Sequence, residues 1–172
     1  PISVSALPGD GALVHTIRDV AGVTKTLCAS QPGQVLGVRG PYGRGWDVEG
    51  ARGHDVVLVA GGIGLAPLRP VVHAVLADRA AFGRVVLVVG ARTEQELLFR
   101  GELDGWWQGR DIVVRTIVDR ASPGWTGSVG VVTGELVGLD LDVERTRAMV
   151  CGPEVMMRVV AQHVTDRGVP AS

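Results

Sequence analysis

The sequence contains little of what several classes of protein depend on. Among its 172 residues there are two cysteines and only 4% aromatic residues, and the formal net charge is −1. This charge balance indicates neither a basic surface for nucleic acid nor a charged run for a membrane surface. No apolar run approaches the roughly 18 residues that a membrane-spanning helix needs. The 46% of hydrophobic residues instead predicts a globular protein with ample core material.

Cysteine and histidine are too dispersed to indicate a catalytic or metal site. Cys28 and Cys151 have neither a metal-ligand nor a disulfide spacing, which favours a reducing, cytoplasmic location. The four histidines are also far apart, and we expect no metal site. No Gly-x-Ser-x-Gly motif supplies a hydrolase nucleophile, and no Gly-Lys-Ser/Thr sequence completes a P-loop.

The first fifty residues have the pattern of short strands joined by turns. The segments "ISVSA" (2–6), "ALVHTIRDV" (12–20) and "QVLGVRG" (34–40) are rich in β-branched residues and are separated by glycine- and proline-containing turns. The glycine-rich loop "RGPYGRGW" (39–46) closes this part. A domain boundary is therefore predicted within 47–55.

The remainder of the chain alternates between strands and helices. Buried strands are predicted at 55–61, 84–92, 111–119 and 145–152, and helices at 66–82, 93–108 and 153–168, with a turn and a short helix within 128–138. Thr93 and Glu96 have the spacing of a capping box at the second of these helices. The alternation predicts right-handed crossovers and a doubly wound parallel sheet over 54–172.

A glycine-rich turn follows the first of these strands. In "VVLVAGGIGLAP" (56–67), Gly62 and Gly64 fit the first two positions of the dinucleotide fingerprint G-x-G-x-x-G, but Pro67 stands where the third glycine belongs. Glycines let phosphate approach the backbone, and a helix N-terminus offers free N–H groups. The pattern fits either a site for nucleotide phosphate or a tight turn that binds nothing.

Two other strand ends carry candidate binding residues. Arg92 ends the second strand, where it suits a 2′-phosphate or adenine, whereas nearby Glu94 would discourage that phosphate, so NAD and NADP both stay open. Cys151, Gly152 and Pro153 end the last strand, at the sheet edge where ligands of such folds bind. Cys151 fits either a nicotinamide contact or a small apolar core position.

Five motifs in order resemble the ferredoxin–NADP reductase superfamily. They are "GVRGPYGRGW", "VAGGIGLAPLRPVV", "GARTEQELLFRGEL", "GWTGSVGVVT" and "CGPEVMMR", and they cover nearly the whole chain. They are most similar to the FAD- and NAD(P)-binding gamma subunits of nickel–iron hydrogenases and sulfhydrogenases. The electron-transfer subunit of dihydroorotate dehydrogenase is also similar.

The resemblance implies two domains and a set of site residues. Residues 1–50 would be the C-terminal part of an incomplete antiparallel β-barrel for FAD, and 54–172 an NAD(P)-binding domain without its last strand. The segment from Pro1 to Ser5 resembles the end of the family's flavin motif, whose arginine would precede Pro1. The residues implied for FAD are Ile2, Ser3, Val23 and Thr24, with Ile2 at a position that is usually aromatic. Those implied for NAD(P) are Gly62, Ile63, Gly64, Pro67, Arg92, Cys151, Gly152 and Pro153, with Ser3 and Cys151 near the flavin and nicotinamide.

The implied activity is electron transfer between NAD(P)H and FAD by direct hydride transfer, followed by transfer to an iron–sulfur or hydrogenase-type partner subunit. Because cofactors carry this chemistry, the sequence needs no acid, base or nucleophile of its own. The [2Fe–2S] cluster of hydrogenase-type relatives would need cysteines beyond Ser172. A second hypothesis is an inactive nucleotide-binding or docking module. We also expect valine at Gly64 to crowd the phosphate without unfolding the domain.

Overall fold

A parallel sheet forms the centre of the protein. The computed structural model describes residues 2–7, 9, 11–109 and 112–170. Its strands are β1 (Asp55–Gly61), β2 (Val85–Ala91), β3 (Val113–Val118), β4 (Ser128–Val129) and β5 (Thr146–Cys151). They lie in the order β4-β3-β2-β1-β5, and every neighbouring pair is parallel. The predicted doubly wound sheet is confirmed, with β4 as a short additional edge strand.

Helices cover both faces of this sheet. The helices are α1 (Val23–Cys28), α2 (Leu65–Ala77), α3 (Arg100–Gly109), α4 (Val132–Leu136) and α5 (Glu154–Asp166). One face of β1, carrying Val56 and Leu58, packs against α2 and α3, and the other, carrying Val57 and Val59, packs against α4 and α5. Burial on both faces explains why β1 and β2 are aliphatic throughout. In the part of the chain that the structure describes, no helix is both long and apolar enough to cross a membrane.

The helix predicted at 93–108 begins seven residues later, at Arg100. Thr93 makes no side-chain cap hydrogen bond, so the predicted capping box is wrong. Glu94–Glu96 form a single 3₁₀ turn, Leu97 is extended and buried, and Phe99 has a φ of 52°. The side chains of this stretch pack into the core, and that tertiary packing overrides the local helical pattern.

The ends of α5 follow the sequence signals closely. Pro153 immediately precedes the helix, and the N–H of Met157 donates to the Pro153 carbonyl at 3.0 Å. At the other end Gly168 has a φ of 97°, and the N–H of Val169 donates to the carbonyl of Val164 at 3.0 Å. A glycine in this left-handed conformation is a common helix stop.

The first fifty residues form fewer strands than the sequence predicts. The isolated antiparallel bridge Val4–His15 pairs the segments 2–6 and 12–20, and a second bridge, Gly9–Ala12, lies at the turn between them. The segment 34–40 forms no strand with any residue that the structure describes, and Val35 is 98% exposed. An alternating pattern indicates a tendency to form a strand, but a strand forms only where a neighbouring segment pairs with its backbone N–H and C=O groups. The helix α1 was not predicted.

Glycines allow close packing where the strands end. A methyl group on Gly64 would overlap the carbonyl oxygen of Cys151, and one on Gly90 would overlap the Val132 side chain. Gly64 has a φ of −62°, so what excludes a side chain there is space and not backbone strain. The start of α2 therefore lies directly against the end of β5.

Replacing Gly64 with alanine should lower the free energy of unfolding. We expect a loss of about 1–3 kcal/mol, because the added methyl group has to push apart backbone segments that already touch. Gly105→Ala is the matched control, since Gly105 lies exposed in α3 with open space around it. There the change should stabilise the helix by up to about 1 kcal/mol. Urea unfolding of both variants measures the difference, and equal stabilities would contradict this account.

Candidate functional site

A cleft of about 590 Å³ opens at the carboxyl ends of the parallel strands. From β1 the chain proceeds outward through β2, β3 and β4 on one side, and it then returns to place β5 on the other side of β1. The strand order therefore reverses at β1, and the cleft lies at this point. Open α/β sheets bind ligands at such a switch point. The cleft is lined by Arg18, Gly61, Gly62, Ile63, Gly90, Ala91, Arg92, Glu96, Asp119, Val131, Val132, Thr133, Gly152, Pro153, Val155, Met156 and Val159.

The glycine turn after β1 lines one wall of the cleft. Gly62 has a φ of 53°, a conformation that favours glycine, and with Ile63 and Gly64 it forms a 3₁₀ turn that leads directly into α2. The guanidinium of Arg18 lies above this turn, with Nη2 3.5 Å from the position that a Cβ on Gly62 would occupy. A glycine backbone facing a cation is suited to a phosphate group.

The N-terminus of α5 lines the opposite wall. Val155 and Met156 contribute to the cleft, and Pro153 precedes the first turn. The first N–H groups of an α-helix have no acceptor within the helix, and they carry the positive end of its dipole. This wall therefore also favours a negatively charged ligand.

A basic and an acidic residue lie together at a third position. Arg92 follows β2 and Asp119 follows β3, and both line the cleft. They are held side by side by the backbone, since Asp119 donates its N–H to Ala91 and Arg120 donates to Arg92, each at 3.0 Å. A carboxylate here can accept hydrogen bonds from ribose hydroxyls and would repel a 2′-phosphate.

Glu94, which the sequence suggested as the acidic residue, faces other groups and does not line the cleft. One carboxylate oxygen accepts the Ser122 N–H at 3.4 Å, and the other accepts from the Gln95 amide at 3.1 Å. The Ser122 hydroxyl also donates to this carboxylate, and it is the main reason that the pKa of Glu94 lies below its usual value. The acidic residues that line the cleft are Asp119 and Glu96, and Asp119 is the one that lies beside Arg92.

Three of the residues implied for NAD(P) lie behind the cleft wall. Gly64 is buried against the Cys151 backbone, so valine there would displace the end of β5 and would not act on phosphate binding alone. Pro67 lies in the first turn of α2, where its carbonyl accepts from the Trp46 indole N–H at 2.9 Å. Burial raises the pKa of the half-buried Cys151 thiol, which therefore stays uncharged beside the site.

The residues implied for FAD lie outside this cleft. Ser3 and Val23 are exposed, and Ile2 and Thr24 are partly buried. The Ser3 carbonyl lies 3.0 Å from His15 Nδ1, and the Thr24 hydroxyl donates to the Ala21 carbonyl at 2.8 Å. Pro1, at the start of the flavin-like motif, is outside the described residues.

The structure adds site residues that the sequence interpretation missed. Asp119 had a usable signal, since it follows a predicted strand in the same way as Arg92. Arg18 had none, because it lies inside a segment far from the glycine turn in the sequence. Its Nη2 is 3.9 Å from a carboxylate oxygen of Glu96, so an ion pair links the first fifty residues to the loop after β2.

A family model and curated relatives match this chain. The model of the oxidoreductase NAD-binding domain matches residues 58–162. Sulfhydrogenase 2 subunit gamma of Pyrococcus furiosus is 32% identical over 98% of this chain and 62% of its own length. A probable dihydroorotate dehydrogenase B (NAD(+)) electron transfer subunit of Methanothermobacter thermautotrophicus is 40% identical over 99% of this chain and 59% of its own length. The chain thus spans about three fifths of these relatives.

Solved structures match as well. An NADH-dependent reduced ferredoxin–NADP oxidoreductase superimposes with a TM-score of 0.77 at 28% identity, covering 99% of this chain and 58% of that one. The FAD/NAD-binding domain of nitric oxide dioxygenase from Vibrio cholerae gives a TM-score of 0.79 at 19% identity, covering 98% and 72%. At that identity the second likeness concerns the fold alone. The chain belongs to the oxidoreductase NAD-binding domain family, and its fold is that of the ferredoxin reductases.

Proposed function

We propose that this chain binds NAD(H) in the cleft and forms the nucleotide side of a flavin-dependent electron-transfer oxidoreductase. The observation that carries the proposal is the position of Arg18 above the Gly62 turn, at the switch point of the sheet. The relatives described as electron-transfer and sulfhydrogenase subunits support this reading.

The cleft provides a separate environment for each part of a dinucleotide. The Gly62 turn, Arg18 and the N-terminus of α5 would hold the diphosphate. Arg92 and Asp119 would hold the adenosine, with Asp119 accepting from the ribose hydroxyls and thereby favouring NAD over NADP. Gly152 and Pro153 would lie along the nicotinamide, next to the uncharged thiol of Cys151.

The flavin half of the reaction is a proposal for the whole protein. A bound flavin exchanges hydride with nicotinamide, which is chemistry that amino-acid side chains cannot supply. Among the described residues, Ile2, Ser3, Val23 and Thr24 do not converge on the cleft. We therefore assign to these 172 residues the binding and orientation of the nucleotide, with 54–172 as its domain and 1–50 as part of the flavin domain.

We further propose an iron–sulfur or hydrogenase-type subunit as the partner that exchanges electrons with the flavin. The names of the sulfhydrogenase relatives support this choice. The alternative, a nucleotide-binding or docking module without turnover, agrees with the same cleft. The two differ in whether bound NADH is oxidised.

Titration of the protein with NADH tests the function directly. We expect saturable binding, seen as a change in NADH fluorescence, with competition by ADP-ribose and much weaker competition by adenosine, which lacks the diphosphate. In the whole protein, to which the flavin half of the reaction is assigned, anaerobic addition of NADH should bleach the absorbance of bound FAD. Binding without bleaching would favour the docking module, and a folded protein that binds no NADH would contradict the proposed site.

Removing the charge of Asp119 should relax the preference for NAD. A 2′-phosphate close to this carboxylate meets a repulsion of about 1 kcal/mol or more, so Asp119→Asn should improve NADPH affinity relative to NADH by about fivefold or more. Glu94→Gln is the matched control, because it removes a nearby carboxylate that does not line the cleft. Its effect on the affinity ratio should stay below about twofold. Equal effects of the two variants would argue against the assignment of Asp119.

Replacing Arg18 with methionine should weaken NADH binding by roughly tenfold, as expected for one charge-assisted contact to a diphosphate. Arg18→Lys retains the charge and should lose less. The Met variant should also show a smaller decrease of affinity with added salt, because one screened charge pair is gone. Unchanged NADH affinity in Arg18→Met would contradict the assignment of Arg18 to the diphosphate, on which the proposed function depends.

A further inference from the structure

Two segments of the first fifty residues form a small unit near the cleft. Residues 3–5 and 14–16 pair in antiparallel orientation through the Val4–His15 bridge and through the Ser5 N–H, which donates to the Val14 carbonyl at 2.8 Å. We call these two segments the N-terminal pair. The chain leaves it at Thr16, two residues before Arg18.

Side-chain hydrogen bonds strengthen this unit. Ser5 is completely buried, and its hydroxyl donates to the Val14 carbonyl at 3.3 Å while accepting from the Thr16 hydroxyl at 3.0 Å. Buried polar groups that satisfy one another in this way hold a unique arrangement. The Thr16 side chain is thereby attached to Ser5, and Arg18 follows two residues later in the chain.

Arg69 of α2 attaches the N-terminal pair to the α/β domain. Its Nη1 donates to the carbonyl of Ser5 at 2.6 Å, a contact that spans 64 residues of sequence. Its Nε and Nη2 donate to the Glu102 carboxylate at 2.8 and 2.9 Å. Its guanidinium carbon lies 4.9 Å from the ring centroid of Phe99. The guanidinium is thus held by a carboxylate, a carbonyl and an aromatic ring at once.

The partners of Arg69 are themselves fixed by the domain. Glu102 lies in the first turn of α3, and its N–H donates to the Phe99 carbonyl at 2.9 Å. His73 Nε2 lies 3.3 Å from the Glu102 carboxylate. Only 19% of the Arg69 side chain is exposed, so water screens its contacts weakly. Arg69 also lies one turn after the glycine turn that begins α2.

We propose that Arg69 is a positioning residue for nucleotide binding: by holding the Ser5 carbonyl, it places Arg18 over the Gly62 turn. The inference rests on the proposed function, since it concerns the same diphosphate site. Arg69 does not line the cleft and would act only through Arg18. Lysine cannot replace it fully, because an ammonium lacks the planar fork that serves Glu102 and Ser5 together.

A double-mutant cycle on NADH affinity tests the proposal. We expect Arg69→Met to weaken NADH binding by roughly fivefold in the wild-type background, a coupling typical of residues in one network. In the Arg18→Met background the same change should alter affinity by less than about twofold. Hydrogen exchange at the Ser5 amide should become faster in Arg69→Met, since its unit loses the attachment to α2.

Arg52→Met is the matched control. Arg52 is likewise held by acidic side chains and a ring: it pairs with the carboxylates of Glu49 and Asp78 and lies 5.8 Å from the Phe82 ring centroid. It precedes β1, at the opposite end of the sheet. Its replacement should leave NADH affinity unchanged. Urea unfolding of the two variants shows whether the loss of affinity follows from general destabilisation.

The outcomes separate this inference from the proposed function. Failure of the folded wild-type protein to bind NADH would contradict the proposed function itself. If the wild-type protein binds NADH, two results would overturn the positioning role. One is an equal loss of NADH affinity on Arg69→Met in both backgrounds, and the other is no loss of affinity at all. If Arg69→Met does not fold, Arg69→Lys is measured in the same two backgrounds, and a loss independent of Arg18 again overturns it.

Discussion

The architecture of the site depends on backbone-to-backbone contact between the ends of β1 and β5. A Cβ on Gly152 would lie 3.0 Å from the Cα of Gly61, and one on Gly64 would overlap the Cys151 carbonyl. Because Gly61, Gly64 and Gly152 have no side chains, the glycine turn and the start of α5 approach the same point from two sides, and the Met156 side chain packs against Gly61 and Gly152. The cleft is the space that remains above them, and its lining combines four glycines with aliphatic side chains such as those of Ile63, Val155 and Met156.

Charge within the cleft is divided although the chain as a whole is nearly neutral. Arg18 and the N-termini of α2 and α5 lie at one part of the cleft, and Arg92 and Asp119 lie at another. Glu96, 3.9 Å from Arg18, supplies a carboxylate partner for that arginine within the protein itself. A net charge of −1 therefore says little about this site, since the distribution of charges decides which ligand is attracted and at which end.

The first fifty residues contribute to the cleft although their fold differs from that of the sheet domain. Three contacts connect them to it. Arg18 forms an ion pair with Glu96, the Ser5 carbonyl accepts a hydrogen bond from Arg69, and the Trp46 indole N–H donates to the Pro67 carbonyl. Two of these contacts end on α2, the helix that begins at the glycine turn. A displacement of α2 would therefore affect both the turn and the segment above it.

Local pattern determined the sheet, its helices and part of the site. Continuous aliphatic runs specify β1 and β2 because both faces are buried, and residues that follow parallel strands meet at one edge, so Gly62, Arg92 and Gly152 were predictable from the sequence. Only the tertiary structure decided the irregular path from Thr93 to Phe99, the lack of a strand at 34–40 among the residues described, and the position of Arg18 at the cleft. Those features depend on contacts between residues distant in sequence, such as Arg69 with Ser5, whose free energy no local pattern encodes.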